Sequence, residues 1–137
     1  MIPLCPCCSG SPYEKCCEIY HLGKEPPTAL LLMRSRYSAY AMKLADYIIR
    51  TTHPKSSRYH PDLERFKEDI LKFCNETEFR KLEVFNFEEK GERAIVVFTA
   101  YLTQNGNDAT FTERSNFVKY QGNWRYLDGK ISQGALV

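Results

Sequence analysis

The chain has 137 residues and a mass of 16.0 kDa, with 43% hydrophobic and 26% charged residues and a net charge of +2. This composition excludes intrinsic disorder and leaves no overall basic footprint for nucleic acid, a disfavoured partner. Mean hydropathy is -0.46, and apolar runs such as Ala29–Met33 fall far short of the roughly 20 residues of a spanning helix, so no membrane association is expected.

Residues 1–24 are rich in Cys, Pro, Gly and Ser and hold few core-forming aliphatics. Such a segment cannot order itself by burying apolar surface, so a structural metal is the expected source of ordering energy. Five of the six cysteines lie here: Cys5, Cys7, Cys8, Cys16 and Cys17. Met1 is not followed by a basic stretch and an apolar run, so no export signal is expected and the expected compartment is the reducing cytoplasm. Clustered thiols there point to metal rather than disulfides.

Glu25-Pro26-Pro27 marks a boundary, which divides the chain into units 1–24 and 28–137. Thr28 is placed to cap a helix with Leu30, Met33, Tyr37, Leu44, Tyr47 and Ile48 on one buried face. Arg34 and Arg36 fall mostly off that stripe. The helix, in one or two pieces, is predicted to end near Thr51, before His53-Pro54. Pro61 suits the first turn of a second helix, with Leu63, Phe66, Ile70 and Phe73 on its stripe and its end near Asn75. Cys74 reads as a small buried hydrophobe there.

The period then changes. Phe79–Glu88, Arg93–Thr103, Ala109–Tyr120 and Trp124–Leu127 read as strands, separated by Lys90-Gly91, Asn105-Gly106-Asn107-Asp108 and Gly122-Asn123 turns. Ala94–Leu102 is apolar on both faces and is expected to be central. Helices followed by an antiparallel meander define an α+β class.

The cysteine segment reads Cys5-Pro6-Cys7-Cys8-Ser9-Gly10-Ser11-Pro12-Tyr13-Glu14-Lys15-Cys16-Cys17. Two close thiols, a loop and two adjacent thiols make two chelating pairs, suited to a tetrahedral sulfur shell around Zn²⁺. The expected ligands are Cys5, Cys7, Cys16 and Cys17, with Cys8 and His21 as spare candidates. A closed shell leaves no position for substrate, which makes the metal structural. Lys15 and Lys24 are the expected counter-charges. An iron–sulfur cluster is the lesser alternative.

On the strand Phe111–Tyr120, Phe111, Glu113, Ser115 and Phe117 share one face. A carboxylate and a hydroxyl between phenylalanines suit a mostly apolar pocket. His53, Arg34, Arg36 and Tyr37 are candidate pocket neighbours, and a Glu113–His53 pair would be able to move protons. The structural alternative is that an arginine satisfies a buried Glu113, while His53 is a surface or capping residue. Trp124 and Tyr126 read as packing residues.

The Cys-Pro-Cys-x-Ser-Gly-x-x-Tyr-x-x-Cys-Cys run from Cys5 resembles the SEC-C zinc motif found at the C-terminus of the SecA translocation ATPase. Leu32-Met33-Arg34-Ser35-Arg36-Tyr37-Ser38-Ala39-Tyr40, Thr52-His53-Pro54, Phe111-x-Glu113-x-Ser115-x-Phe117 and Gly122-x-Trp124-x-Tyr126-x-Asp128-Gly129 resemble the YchJ family of uncharacterised bacterial proteins. That family usually has Gly where this chain has Cys8. The resemblance implies a nuclear transport factor two-like (NTF2-like) body, a cone of helices on a curved antiparallel sheet. The reading that follows is a zinc-binding adaptor whose knuckle docks a protein partner of the export or translation machinery, with the cone as scaffold or small-ligand pocket. The alternative is a small-molecule enzyme, an isomerase or dehydratase, using His53 and Glu113.

Overall fold

The computed structural model describes residues 3–135, so residues 1–2 and 136–137 of the two expected units lie outside the described residues. A 3-10 turn (Tyr13–Lys15) and a one-turn helix α1 (Glu18–His21) form the cysteine-rich knuckle. Helices α2 (Ala29–Ala41), α3 (Ala45–Arg50) and α4 (Leu63–Asn75) follow. Strands β1 (Thr77–Lys90), β2 (Arg93–Gln104), β3 (Asn107–Asp108), β4 (Phe111–Tyr120) and β5 (Asn123–Gln133) complete the chain.

The Thr28 hydroxyl accepts from the Leu31 amide at 3.1 Å, which starts α2 where the sequence predicts. The long helix is in two pieces because Lys43 adopts a left-handed φ of 62°. Pro61 lies outside α4: Asp62 is the cap, accepting from the Arg65 amide at 3.3 Å. Of the expected α4 stripe, Phe66 and Ile70 are buried, while Leu63 is exposed.

The sheet is antiparallel with order β1-β2-β4-β5, and β3 pairs with β2. The doubly apolar β2 is central, as expected. Bulges in β1 between Phe79 and Lys81 and between Val84 and Asn86, and one in the β4–β5 pair, add bend and twist. The last hairpin turns on Gln121-Gly122, one residue earlier than predicted. Both have positive φ, 52° and 83°, which matches the twist of the flanking strands.

Helix α2 departs from a one-sided amphipathic helix. Ala29, Leu32, Met33, Ser35, Arg36, Tyr37, Ser38 and Ala39 are all buried, because the sheet covers one side and the knuckle and α3 cover others. Arg36 is therefore interior, contrary to its off-stripe position in the sequence reading. The Pro-rich boundary is clamped. Glu25 accepts from Arg125 at 2.9 and 3.1 Å and from Arg50 at 3.2 Å, while Glu89 accepts the Ala29 amide at 2.9 Å. Arg125 hydrogen bonding holds the Glu25 carboxyl below its ordinary range. Among the described residues no helix is long and apolar enough to cross a membrane.

Candidate functional site

The knuckle folds on its own backbone. The Cys5 amide donates to Ser11 O at 2.9 Å, Cys8 N to Cys5 O at 3.1 Å, and Cys16 N to Tyr13 O at 3.0 Å. These turns bring the two cysteine pairs together. The Sγ atoms of Cys5, Cys7, Cys16 and Cys17 all lie within 4.8 Å of one another, and three of the four residues are buried. Cys7 Sγ is 3.5 Å from Cys16 Sγ, and Cys16 Sγ is 3.9 Å from Cys17 Sγ. A disulfide is about 2.05 Å. A tetrahedral metal with bonds near 2.3 Å puts its sulfurs about 3.8 Å apart. The set thus has the spacing of a metal shell, and among the described residues no cysteine is disulfide-bonded.

Hydrogen bonding from Cys17 outweighs burial and brings the Cys7 thiol down to about 4. Burial pushes Cys5 up to about 11. Cys17 also goes up, first because it donates to Cys7 and then because it is buried. One sulfur is thus ready as thiolate, and a metal would displace the remaining protons.

The spare candidates lie outside the shell. Cys8 is exposed at φ 64°, the left-handed conformation in which glycine is unstrained, and its sulfur accepts from the Leu82 amide at 3.4 Å. His21 is committed elsewhere. Its Nε2 faces Ser35 O at 2.8 Å and Ser38 Oγ at 3.3 Å, and its Nδ1 faces Tyr13 Oη at 2.7 Å. A carbonyl can only accept, so Nε2 carries the proton and Tyr13 donates to Nδ1. Burial holds His21 below its ordinary value and pushes Tyr13 up to about 12. Both residues strut the knuckle against α2.

Arg34 was expected in the pocket and belongs to the knuckle instead. It lies two residues from Arg36 and so points elsewhere on the helix, where its Nη1 donates to Cys7 O at 2.9 Å. Ser9 Oγ lies 3.1 Å from Cys16 Sγ. Lys15 and Lys24 make no ion pair among the described residues.

A cavity of about 400 Å³ opens between α2, α4, the 57–60 loop and the sheet. Phe66, Phe73, Phe79, Phe98, Phe111 and Leu102 supply apolar wall, and Arg36, Tyr37, Tyr40, Arg58, Glu113 and Ser115 also line it. Glu113 is 2% exposed. Its Oε2 accepts from Ser115 Oγ at 2.5 Å and from Tyr126 Oη at 2.9 Å, and its Oε1 lies 3.6 Å from Arg58. Burial and the Glu113 charge both push the Tyr126 phenol up. A Cβ on Gly129 would collide with the Glu113 carboxyl, so the carboxylate occupies space that only glycine leaves free. Tyr37 presents its ring edge-on to Phe79, and its hydroxyl has no hydrogen-bond partner among the described residues. The Lys81 backbone approaches that hydroxyl without reaching hydrogen-bond geometry; burial pushes the phenol up.

The expected Glu113–His53 pair is not formed. The Thr52–Tyr126 bridge fixes the chain beside β5, with His53 N donating to Tyr126 O at 2.8 Å. The His53 ring lies against Tyr120, 4.8 Å between centroids, and its Nδ1 accepts from the Lys55 amide at 3.0 Å. It is absent from the cavity wall. Arg36 likewise does not pair with Glu113; the arginine that does is Arg58. Sequence reasoning missed Arg58, which lies in a loop without periodicity. It read Tyr126 as packing only, although its alternation with Trp124 signals a buried face. Gly129 stood in the quoted motif without an assigned task.

The family model for the YchJ middle NTF2-like domain matches residues 28–129. UPF0225 protein VP1145 of Vibrio parahaemolyticus is 38% identical over 134 residues, 97% of this chain and 78% of that protein. The solution structure of RPA3114, a SEC-C motif containing protein from Rhodopseudomonas palustris, is 33% identical with a TM-score of 0.77, covering 95% of this chain and 98% of that one. The crystal structure of a SEC-C motif containing protein from Psychrobacter arcticus is 29% identical with a TM-score of 0.73, covering 96% and 84%.

Proposed function

This chain belongs to the YchJ (UPF0225) family, and on that premise we propose that it is a zinc-braced adaptor. One structural Zn²⁺ is held by Cys5, Cys7, Cys16 and Cys17, and the knuckle so formed docks a protein partner. The observation that carries the metal reading is the mutual reach of four sulfurs, three of them on buried residues, in a segment with almost no apolar core. When bound, the ion supplies cross-linking rather than chemistry, because four protein ligands close its coordination shell. The chain's own residues do the rest: Arg34 fixes the Cys7 carbonyl, and His21 and Tyr13 lock the knuckle onto α2.

Support for docking comes from apolar side chains that the knuckle leaves exposed to water. Leu4, Ile19 and Leu22 are exposed, Leu22 to 80%, although the segment has few aliphatics to spare. So small a surface fits a weak or transient complex with a partner that offers apolar side chains. Capture from lysate with wild type, a Cys5→Ser/Cys7→Ser variant and a Leu22→Asp variant tests this. A partner retained by wild type and lost from both variants supports the adaptor. Equal recovery by all three contradicts it. The cavity wall offers Glu113 without His53, so the proton-transfer pair on which the enzyme alternative depended is missing.

A further inference from the structure

The cavity has a charge pattern of its own. Arg36 is 8% exposed and lines it. Its Nη1 donates to Ile48 O at 3.2 Å, Thr51 Oγ1 at 2.8 Å and Thr52 Oγ1 at 3.1 Å. All three acceptors are neutral. Among the described residues no carboxylate forms an ion pair with Arg36. Its guanidinium lies over the Tyr126 ring at 4.7 Å, and Arg58 lies over the same ring at 5.4 Å.

The carboxylates on the wall are accounted for. Glu113 is compensated by Arg58, and Asp69 pairs with Arg65 at 3.5 Å. One buried positive charge is left over. A charge held out of water without a counter-ion is costly unless something binds it. Tyr40, also on the wall, has a hydroxyl that makes no hydrogen bond among the described residues. The remaining wall is mostly aromatic and aliphatic, and about 400 Å³ lies within the range of small-molecule sites, about 300–1,000 Å³.

We propose that this cavity binds a small organic acid, with its carboxylate held by Arg36 and Tyr40 beside Arg58 and its apolar body among Phe73, Phe79 and Phe98. The fork of a guanidinium matches a carboxylate, and the low-polarity wall strengthens the pair. Glu113 sets the selectivity. Held in place by Ser115, Tyr126 and Arg58, it limits the net positive charge to one unit, which suits a monoanion and opposes a dianion. The inference stands independently of the metal centre, which lies in the knuckle.

The test uses full-length, metal-replete protein and three probes with one body: decanoate, decan-1-ol and decylamine. Binding is followed by amide NMR shifts. Decanoate is expected to bind about tenfold tighter than decanol, with decylamine weakest, and to shift Ala100, Leu102 and Ser115. Arg36→Gln is expected to remove the decanoate preference. Arg36 also braces α3, so Arg58→Gln, at a side chain 47% exposed, serves where the first variant fails to fold. It leaves Glu113 uncompensated by its ion pair and brings the net charge of the wall to zero, and it is likewise expected to remove the decanoate preference. Equal binding of the three probes, a wild-type preference for decylamine, shifts outside the cavity, or no binding of any probe at millimolar concentration would overturn the proposal.

Discussion

Arg34 Nη1 donates to the Cys7 carbonyl at 2.9 Å, so a side chain of the central helix reaches into the loop that bears a candidate metal ligand. The knuckle and the body are therefore one mechanical unit. Arg34→Ala should cost about 1–2 kcal/mol, in keeping with a charged hydrogen bond that is partly exposed to water. Release of metal to a colorimetric chelator should be faster than in wild type. An unchanged release rate would show that the loop is rigid without the arginine.

Cys8 offers a sharper test of the ligand set. Its sulfur lies outside the four-sulfur group, and its φ of 64° favours glycine. Cys8→Gly should keep full metal stoichiometry and lose little stability, because relief of backbone strain offsets the lost Leu82 contact, each of the order of 1 kcal/mol. Loss of metal from this variant would place Cys8 in the shell.

His21 makes stability depend on pH. Burial depresses its folded value below the unfolded value of 6.5, so the unfolded chain binds the proton more readily. Its contribution is present in full above about pH 6.5 and is lost as pH falls through the depressed folded value. Urea titrations of metal-replete protein at pH 8, 7 and 6 should show a steeper loss in wild type than in His21→Gln. Parallel curves would mean that the imidazole titrates freely and is no strut.

Much of this arrangement was legible in the sequence. The spacing of Cys5, Cys7, Cys16 and Cys17 exposed the pairing, because chelation leaves its signature in local sequence. The doubly apolar Ala94–Leu102 announced a central strand, and Thr28 announced a helix start. What stayed hidden depends on tertiary contact. Periodicity assumes that a helix has one buried face, but α2 is covered on several sides, so Arg36 looked peripheral. The side of the chain on which His53 falls is decided by the Thr52–Tyr126 bridge, a contact across 74 positions that no local pattern encodes.

Gly129 and Glu113 form a steric pair. Gly129→Ala forces a methyl group against the Glu113 carboxyl and should cost about 1–3 kcal/mol, typical of overpacking. In the Glu113→Ala background the same substitution should cost clearly less, because the clash is gone. Additive losses in chemical denaturation would refute the direct contact.

The proposed role of Cys5, Cys7, Cys16 and Cys17 is to hold the knuckle together through one ion. Elemental analysis of protein purified without chelator tests it most directly. One zinc per chain is expected in wild type and none in the Cys5→Ser/Cys7→Ser variant. Wild-type protein free of stoichiometric metal, with the amides of residues 5–17 still protected from exchange, would contradict it.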